Sequence, residues 1–144
     1  MFKKLLELNP LFRECVDKLN AIILPDWEDK KMFDFFEQFF PLTEWGKIDW
    51  DKIDKKIVVG YNHLDIIPSL KKLLGTCIDK STYIVWNDAG IPIIKTDLDA
   101  IVQNFDDVTC VAFEKFIFSP TIGYIIEVLP GGKITAGVIP QNYA

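Results

Sequence analysis

The sequence predicts an α+β (mixed α/β) fold, with N-terminal helices packed on a largely antiparallel sheet of about four to six strands that closes with a C-terminal β-hairpin. Three observations predict it. Apolar residues recur at helical spacing through the first forty positions, as in Phe12, Cys15, Val16 and Leu19. From Lys56 onward the chain changes to short β-branched and aromatic runs separated by turn residues. Pro130-Gly131-Gly132 then separates the last two such runs, the signature of a hairpin.

Taken in order, Asn9-Pro10 is a helix start, because Asn caps and proline tolerates the first helical position, where an N–H has no partner anyway. Pro25-Asp26 is a second start, with Glu28 and Asp29 suited to the positive end of the helix dipole. Met32, Phe35, Phe36, Phe39 and Phe40 form its apolar face, and Pro41 stops it. Residues 1–42 are thus expected to form one helical layer. Residues 43–56, TEWGKIDWDKIDKK, alternate acids with Trp45, Ile48, Trp50 and Ile53 without a clear period, and read as an irregular connection or a short surface helix.

The sheet-containing core is expected over 56–139. IVVG at 57–60 predicts a strand, and the following segment a helix with Pro68 in its first turn and Gly75 at its stop. A strand at 83–86, a turn at 87–90 and an extended piece at 91–94 come next. A helix from Thr96 carries Thr96 as cap, Asp99 three residues on, and Leu98, Ile101, Val102 and Phe105 on one face. Asp106 and Asp107 are expected just beyond its end. Three strands at 111–120, 123–130 and 133–139 complete the chain. Glu127 alternates with Ile126 and Val128, and an exposed position on a half-solvated sheet is the expectation for it.

The chain has 144 residues, a length that fits a single domain spanning 1–144. It is 49% hydrophobic and 26% charged, which excludes a disordered chain, and eleven Phe with four Trp supply a bulky core. Net charge is −5, Arg13 is the one arginine, and the lysine pairs at 3–4, 30–31, 55–56 and 71–72 are scattered among acids. Nucleic-acid binding needs clustered cations, so no nucleic acid is expected as partner and a cationic protein fits better. No apolar run reaches the ~18 residues of a membrane span, and Glu7, Asn9 and Pro10 interrupt the leader-like MFKKLLELNPLF, so a cytoplasmic protein off the membrane is expected. Cys15, Cys77 and Cys110 are far apart and set among apolar neighbours, and are expected to be buried reduced thiols.

No metal or cofactor is expected. His63 is the single histidine, no cysteine pair has ligand spacing, and the acids at 97 and 99 are explained by the first turn of a helix. A calcium loop would need a central glycine and a terminal glutamate that the segment lacks. GGK at 131–133 precedes a strand and is no phosphate loop. What remains is surface acid and aromatic. Asp49, Trp50, Asp51 and Asp54 form an aromatic anchor ringed by carboxylates, and Asp88, Asp106 and Asp107 add acidic turns; these are the candidate partner-binding residues.

The order YIVWNDAGIPIIKTDLDAIVQNFDDVTCVAFEKFIFSPTIGYIIEVLPGGKITAG resembles small bacterial immunity proteins of contact-dependent growth inhibition and related polymorphic toxin systems. Its carriers are the Trp86-Asn87-Asp88 turn after a strand, the Thr96-Asp97-Leu98 helix start, the Asp106-Asp107-Val108 exit and the closing Ile-Glu and Ile-Thr strands, over roughly 56–139. The resemblance implies a cytosolic, non-enzymatic protein that binds the C-terminal toxin domain of a delivered effector, usually a nuclease, with no catalytic residue to carry over. Oligomeric state stays open. Two alternatives stand beside it: a small enzyme with a site around His63, Asp65 and Asp88, and a non-catalytic subunit of a larger assembly.

Overall fold

The computed structural model describes residues 9–75, 81–86, 90–112 and 114–139. Helix α1, Pro10–Leu19, starts as expected: Asn9 Oδ1 accepts the Phe12 N–H at 3.0 Å, and Pro10 takes the first position. Its chain then runs through the two-residue strand β1, Ile22–Ile23, into helix α2, Asp26–Phe39. A short 3-10 turn at Trp50–Lys52 precedes β2, Lys55–Gly60. A second 3-10 turn, His63–Asp65, leads into α3, Ile66–Leu74, which ends on Gly75 in the left-handed conformation (φ 68°) that glycine adopts without penalty. Then follow β3 (Ser81–Trp86), β4 (Ile94–Asp97), α4 (Leu98–Gln103), α5 (Phe105–Thr109), β5 (Lys115–Phe118), β6 (Tyr124–Val128) and β7 (Ile134–Val138).

The strands form one sheet of seven in the order β1-β4-β3-β5-β6-β7-β2. Each pairing is antiparallel. The architecture is the α+β one predicted, with five α-helices among the described residues and one strand more than the upper expectation, because Ile22–Ile23 pairs with Lys95 and Ile94 and counts as an edge strand. The hairpin at Pro130-Gly131-Gly132 joins β6 to β7 and is closed by Leu129 N–H to Lys133 O at 3.0 Å.

Both sheet faces are covered. Ile84, Trp86, Ile117, Ile126 and Val128 point to one face, where α1, α3, α4 and α5 bring Phe12, Leu70, Ile101 and Val108. Val85, Phe116, Phe118 and Ile125 point to the other, where α2 and the segment after it bring Phe36, Phe40, Ile48 and Ile53. The expectation of one N-terminal helical layer over 1–42 is therefore corrected: α1 and α2 lie on opposite faces. The reason is β1. By pairing with β4 it carries the chain around the edge of the sheet, and the helices before and after it are left on different sides.

Two faces explain the core composition. On the second face the α2 phenylalanines interlock with the sheet aromatics: ring centroids of Phe36 lie 5.2 Å from Phe116 and 5.4 Å from Phe118, and Phe40 lies 5.8 Å from Phe118. On the first, Phe12 meets Trp86 edge-on at 5.6 Å. Trp86 is a core residue, as its sequence position suggested, and its indole N–H donates to Val108 O at 3.1 Å.

Candidate partner-binding surface

Residues 41–54 lack a helical or alternating apolar period, so no regular element absorbs their backbone groups. The chain satisfies them locally and against the sheet. Leu42 and Ile48 form an isolated antiparallel bridge. Thr43 N–H donates to Lys47 O at 2.7 Å, and Thr43 Oγ1 accepts from Trp45 and Lys47 N–H at 3.2 and 3.3 Å. The result is a tight turn with Glu44 and Trp45 at its tip, and Trp45 is 77% exposed.

The base of this segment is fastened to β6. Glu127 is buried, and its carboxylate accepts the Ile48 N–H at 2.9 Å and the Trp50 indole N–H at 2.8 Å. The exposed position expected for Glu127 is corrected: the face it alternates onto is the one the 41–54 segment covers. Trp50 also packs close to β7 at Gly137, where an added Cβ would come 2.8 Å from Trp50 Cζ3 and 3.1 Å from Ile53 Cγ2. Only a residue without a side chain leaves room for that ring. Lys56 Nζ donates to Trp50 O at 2.6 Å, completing the attachment.

This placement sorts the candidate residues. Asp49, Asp51 and Asp54 lie in and beside the Trp50–Lys52 turn; Asp51 and Asp54 are exposed, Asp49 is half-buried, and Lys52 Nζ is 3.8 Å from Asp49. Trp50 sits among them but is half-buried and committed to Glu127, so it anchors the segment from beneath; the aromatic ring offered to solvent is Trp45. Asp106 and Asp107 belong elsewhere. The helix expected to run through Phe105 breaks at Asn104, whose side-chain amide donates to Ala100 O, and a new helix begins at Phe105. Both acids therefore stand in the first turn of α5, where the dipole favours them, instead of after a helix end. α5 packs on the face opposite the 41–54 segment, so the fold does not gather the two acid groups into one patch. Asp88 lies outside the described residues.

Thr96 also departs from its expected role. It is buried in β4, and its hydroxyl donates to Leu19 O, closing the end of α1; Asp97 holds the cap position of α4 without a side-chain cap bond. Sequence reasoning missed Glu127 and Gly137, whose partners are some eighty residues away, and it put Trp50, not Trp45, among the candidate partner-binding residues. The signal that could have separated them is local: Thr-Glu-Trp-Gly is a turn sequence, and a turn tip faces solvent.

A concave region of about 660 Å³ lies on the first face between the His63 turn, α5 and the β6–β7 hairpin. His63 stacks on Phe105 at 5.0 Å, nearly parallel. Lys115 is buried here; its ammonium donates to Thr109 and Ala112 carbonyls at 3.3 and 3.1 Å, and burial holds its pKa below the ordinary value, opposed by the charges of Cys110 and Glu114. Asp65 is exposed and does not line this region. The expectation of buried thiols holds for Cys15, which burial and then the charge of Asp107 push up to about 12, and is corrected for Cys110, which is exposed after α5; Cys77 lies outside the described residues. Among the described residues no group of three or more His, Cys, Asp or Glu is placed to hold a metal ion, and no helix is long and apolar enough to cross a membrane.

The profile of the family described as CdiI immunity protein EcoliA0-like matches residues 9–137, almost the entire described chain. It begins with the Asn9 cap and ends within β7, so it takes in α1 and α2 as well as the C-terminal half. No curated protein sequence matches significantly.

Proposed function

The chain belongs to the CdiI immunity proteins of the EcoliA0-like group, and from that premise we propose that it acts in the cytosol by binding one cognate toxin domain, a cationic nuclease, through its acidic surface. Toxin neutralisation is what the family does; the nuclease, the compartment and the surface are the proposal. One observation carries the surface: Asp49, Asp51 and Asp54 are displayed on a segment whose base is pinned by the buried Glu127 carboxylate. A contact element held in one conformation before binding loses little entropy on binding.

The charge argument runs from the substrate. A nuclease must present cations to hold phosphates, and an inhibitor of net charge −5 is steered toward them and can cover them. No bond is made or broken in this role, and none of the chain's titratable groups is required to be a catalyst. The acids at 106 and 107 stand on the other face and form a separate, second candidate contact.

The test is co-expression with the toxin domain encoded directly upstream. Wild-type protein rescues growth. Combined reversal of Asp49, Asp51 and Asp54 to lysine weakens binding by roughly tenfold or more at low salt and by less at high salt, because the lost term is a screened long-range attraction. An affinity that does not respond to these reversals rejects the surface, and a wild-type chain that gives no protection rejects the function.

A further inference from the structure

An open groove of about 1430 Å³ borders the acidic segment. Its volume exceeds the ~300–1,000 Å³ of ordinary small-molecule pockets, so a segment of polypeptide fits it better than a metabolite. The floor is apolar and incompletely covered: Phe39, Leu42, Ile122, Val138 and Ile139 all line it, and each is half-buried. The rim is acidic. Glu37 at the end of α2, Glu44 in the turn and Asp54 before β2 contribute three carboxylates. Lys52 and Lys55 also line it, so three acids face two cations, and Lys52 lies 3.8 Å from Asp49 just outside the groove.

We propose that this groove is the docking site for an amphipathic, basic segment of the toxin domain, its apolar side on the Phe39–Ile139 floor and its Lys or Arg residues on the Glu37–Glu44–Asp54 rim. The inference rests on the immunity reading above and adds to it where the toxin seats. Two further observations point to the same occupant. One wall of the groove is the 41–54 segment, which Glu127 and the Thr43 bonds hold in place, so the cleft exists before its ligand arrives. Trp45 is in the turn that forms this wall, between the lining residues Glu44 and Gly46; it does not itself line the groove, and it is 77% exposed without a ring partner among the described residues. An exposed tryptophan beside a preformed cleft is of the residue type enriched at binding hot spots, and next to carboxylates it also stacks well with an arginine.

The experiment is calorimetric titration of the full-length protein with the toxin domain encoded directly upstream, at low and high salt, combined with hydrogen exchange on the complex. Trp45→Ala, at an exposed site, should fold normally and weaken binding by roughly tenfold or more. Glu44→Lys with Asp54→Lys should weaken it by a similar factor, most strongly at low salt. Glu14→Lys, on the exposed side of α1 over the opposite face, should change it by about twofold or less, since exposed single charges away from an interface contribute little. Exchange should slow at residues 41–46, 52–55 and 121–122. Groove variants that bind like wild type, with protection over α5 instead, overturn the groove and leave the immunity reading standing. A wild-type protein that does not bind the toxin domain overturns both.

Discussion

Glu127 Oε1 accepts the indole N–H of Trp50 at 2.8 Å while Oε2 accepts the Ile48 N–H at 2.9 Å, so one buried carboxylate on β6 fastens an irregular segment 77 to 79 residues earlier in the chain. The Ile48 N–H is buried and the Trp50 indole N–H part-buried. Glu127→Ala should therefore cost about 2–4 kcal/mol, the penalty of leaving a buried and a part-buried donor without their acceptor. Glu127→Gln should cost less, because one oxygen still accepts while the amide group opposes the second N–H. Urea unfolding of the three proteins checks the ranking, and equal midpoints would refute the clamp.

The second half of the attachment is steric. Gly137→Ala introduces a Cβ 2.8 Å from Trp50 Cζ3 and 3.2 Å from the Lys55 carbonyl, and a backbone atom cannot yield as a side chain can. A loss of about 1–3 kcal/mol is expected. In a Trp50→Ala background the same substitution should cost less by at least ~0.5 kcal/mol, because the closest contact is gone. Additive losses in that double-mutant cycle would mean that the ring does not rest on β7.

The two described thiols should behave differently. Cys110 is exposed and should alkylate rapidly in the native protein, whereas Cys15 is buried and should label only on unfolding; peptide mass spectrometry distinguishes them. Because burial and the Asp107 charge raise the Cys15 pKa from 9.0 to about 12, the folded chain keeps that proton when the unfolded chain releases it. Stability from this group is thus intact below pH 9 and falls as pH rises from there toward 12. Cys15→Ala should remove that alkaline slope, measured as denaturation midpoint against pH.

Asp29 sets a slope at the acid end. Burial is the main cause of its raised pKa, the charge of Asp26 adds to it, and the Ile93 N–H, which the carboxylate accepts at 2.7 Å, opposes both. The folded state therefore binds this proton more tightly than the unfolded one, and the ionisation of Asp29 lowers stability as pH rises through and just above 3.8. Asp29→Asn keeps an oxygen for Ile93 and should flatten that part of the profile, while Asp29→Ala should destabilise by about 1–3 kcal/mol at all pH values by orphaning the N–H. Thermal melts across the acid range separate the two effects.

Much of the fold is local and was legible as such. The Asn9-Pro10 cap, the α2 phenylalanine face ending at Pro41, the Gly75 stop and the Pro130-Gly131-Gly132 hairpin each depend on residues within a few positions, and the structure has all four where they were expected. Thr96 and Asn104 show where local reading stops. Thr96 has the chemistry of a cap, but a carbonyl at the end of α1 takes its hydroxyl; Asn104 bonds back to Ala100 O where the chain leaves α4 for α5. In both cases the competing bond is one that helix periodicity does not weigh.

By itself the sequence determined most of the succession of helices and strands, without β1 or the break between α4 and α5, together with the acidic character of the chain and a resemblance to immunity proteins that the profile over 9–137 extends to the N-terminal helices. Only the tertiary structure decided which acids share a surface, that Glu127 is a buried clamp, and that Trp45 and not Trp50 meets solvent. The physical reason is the strand β1 and the second covered face. Alternation along a strand says that two residues point opposite ways, but whether each way leads to water or to packed side chains depends on what the rest of the chain lays over the sheet.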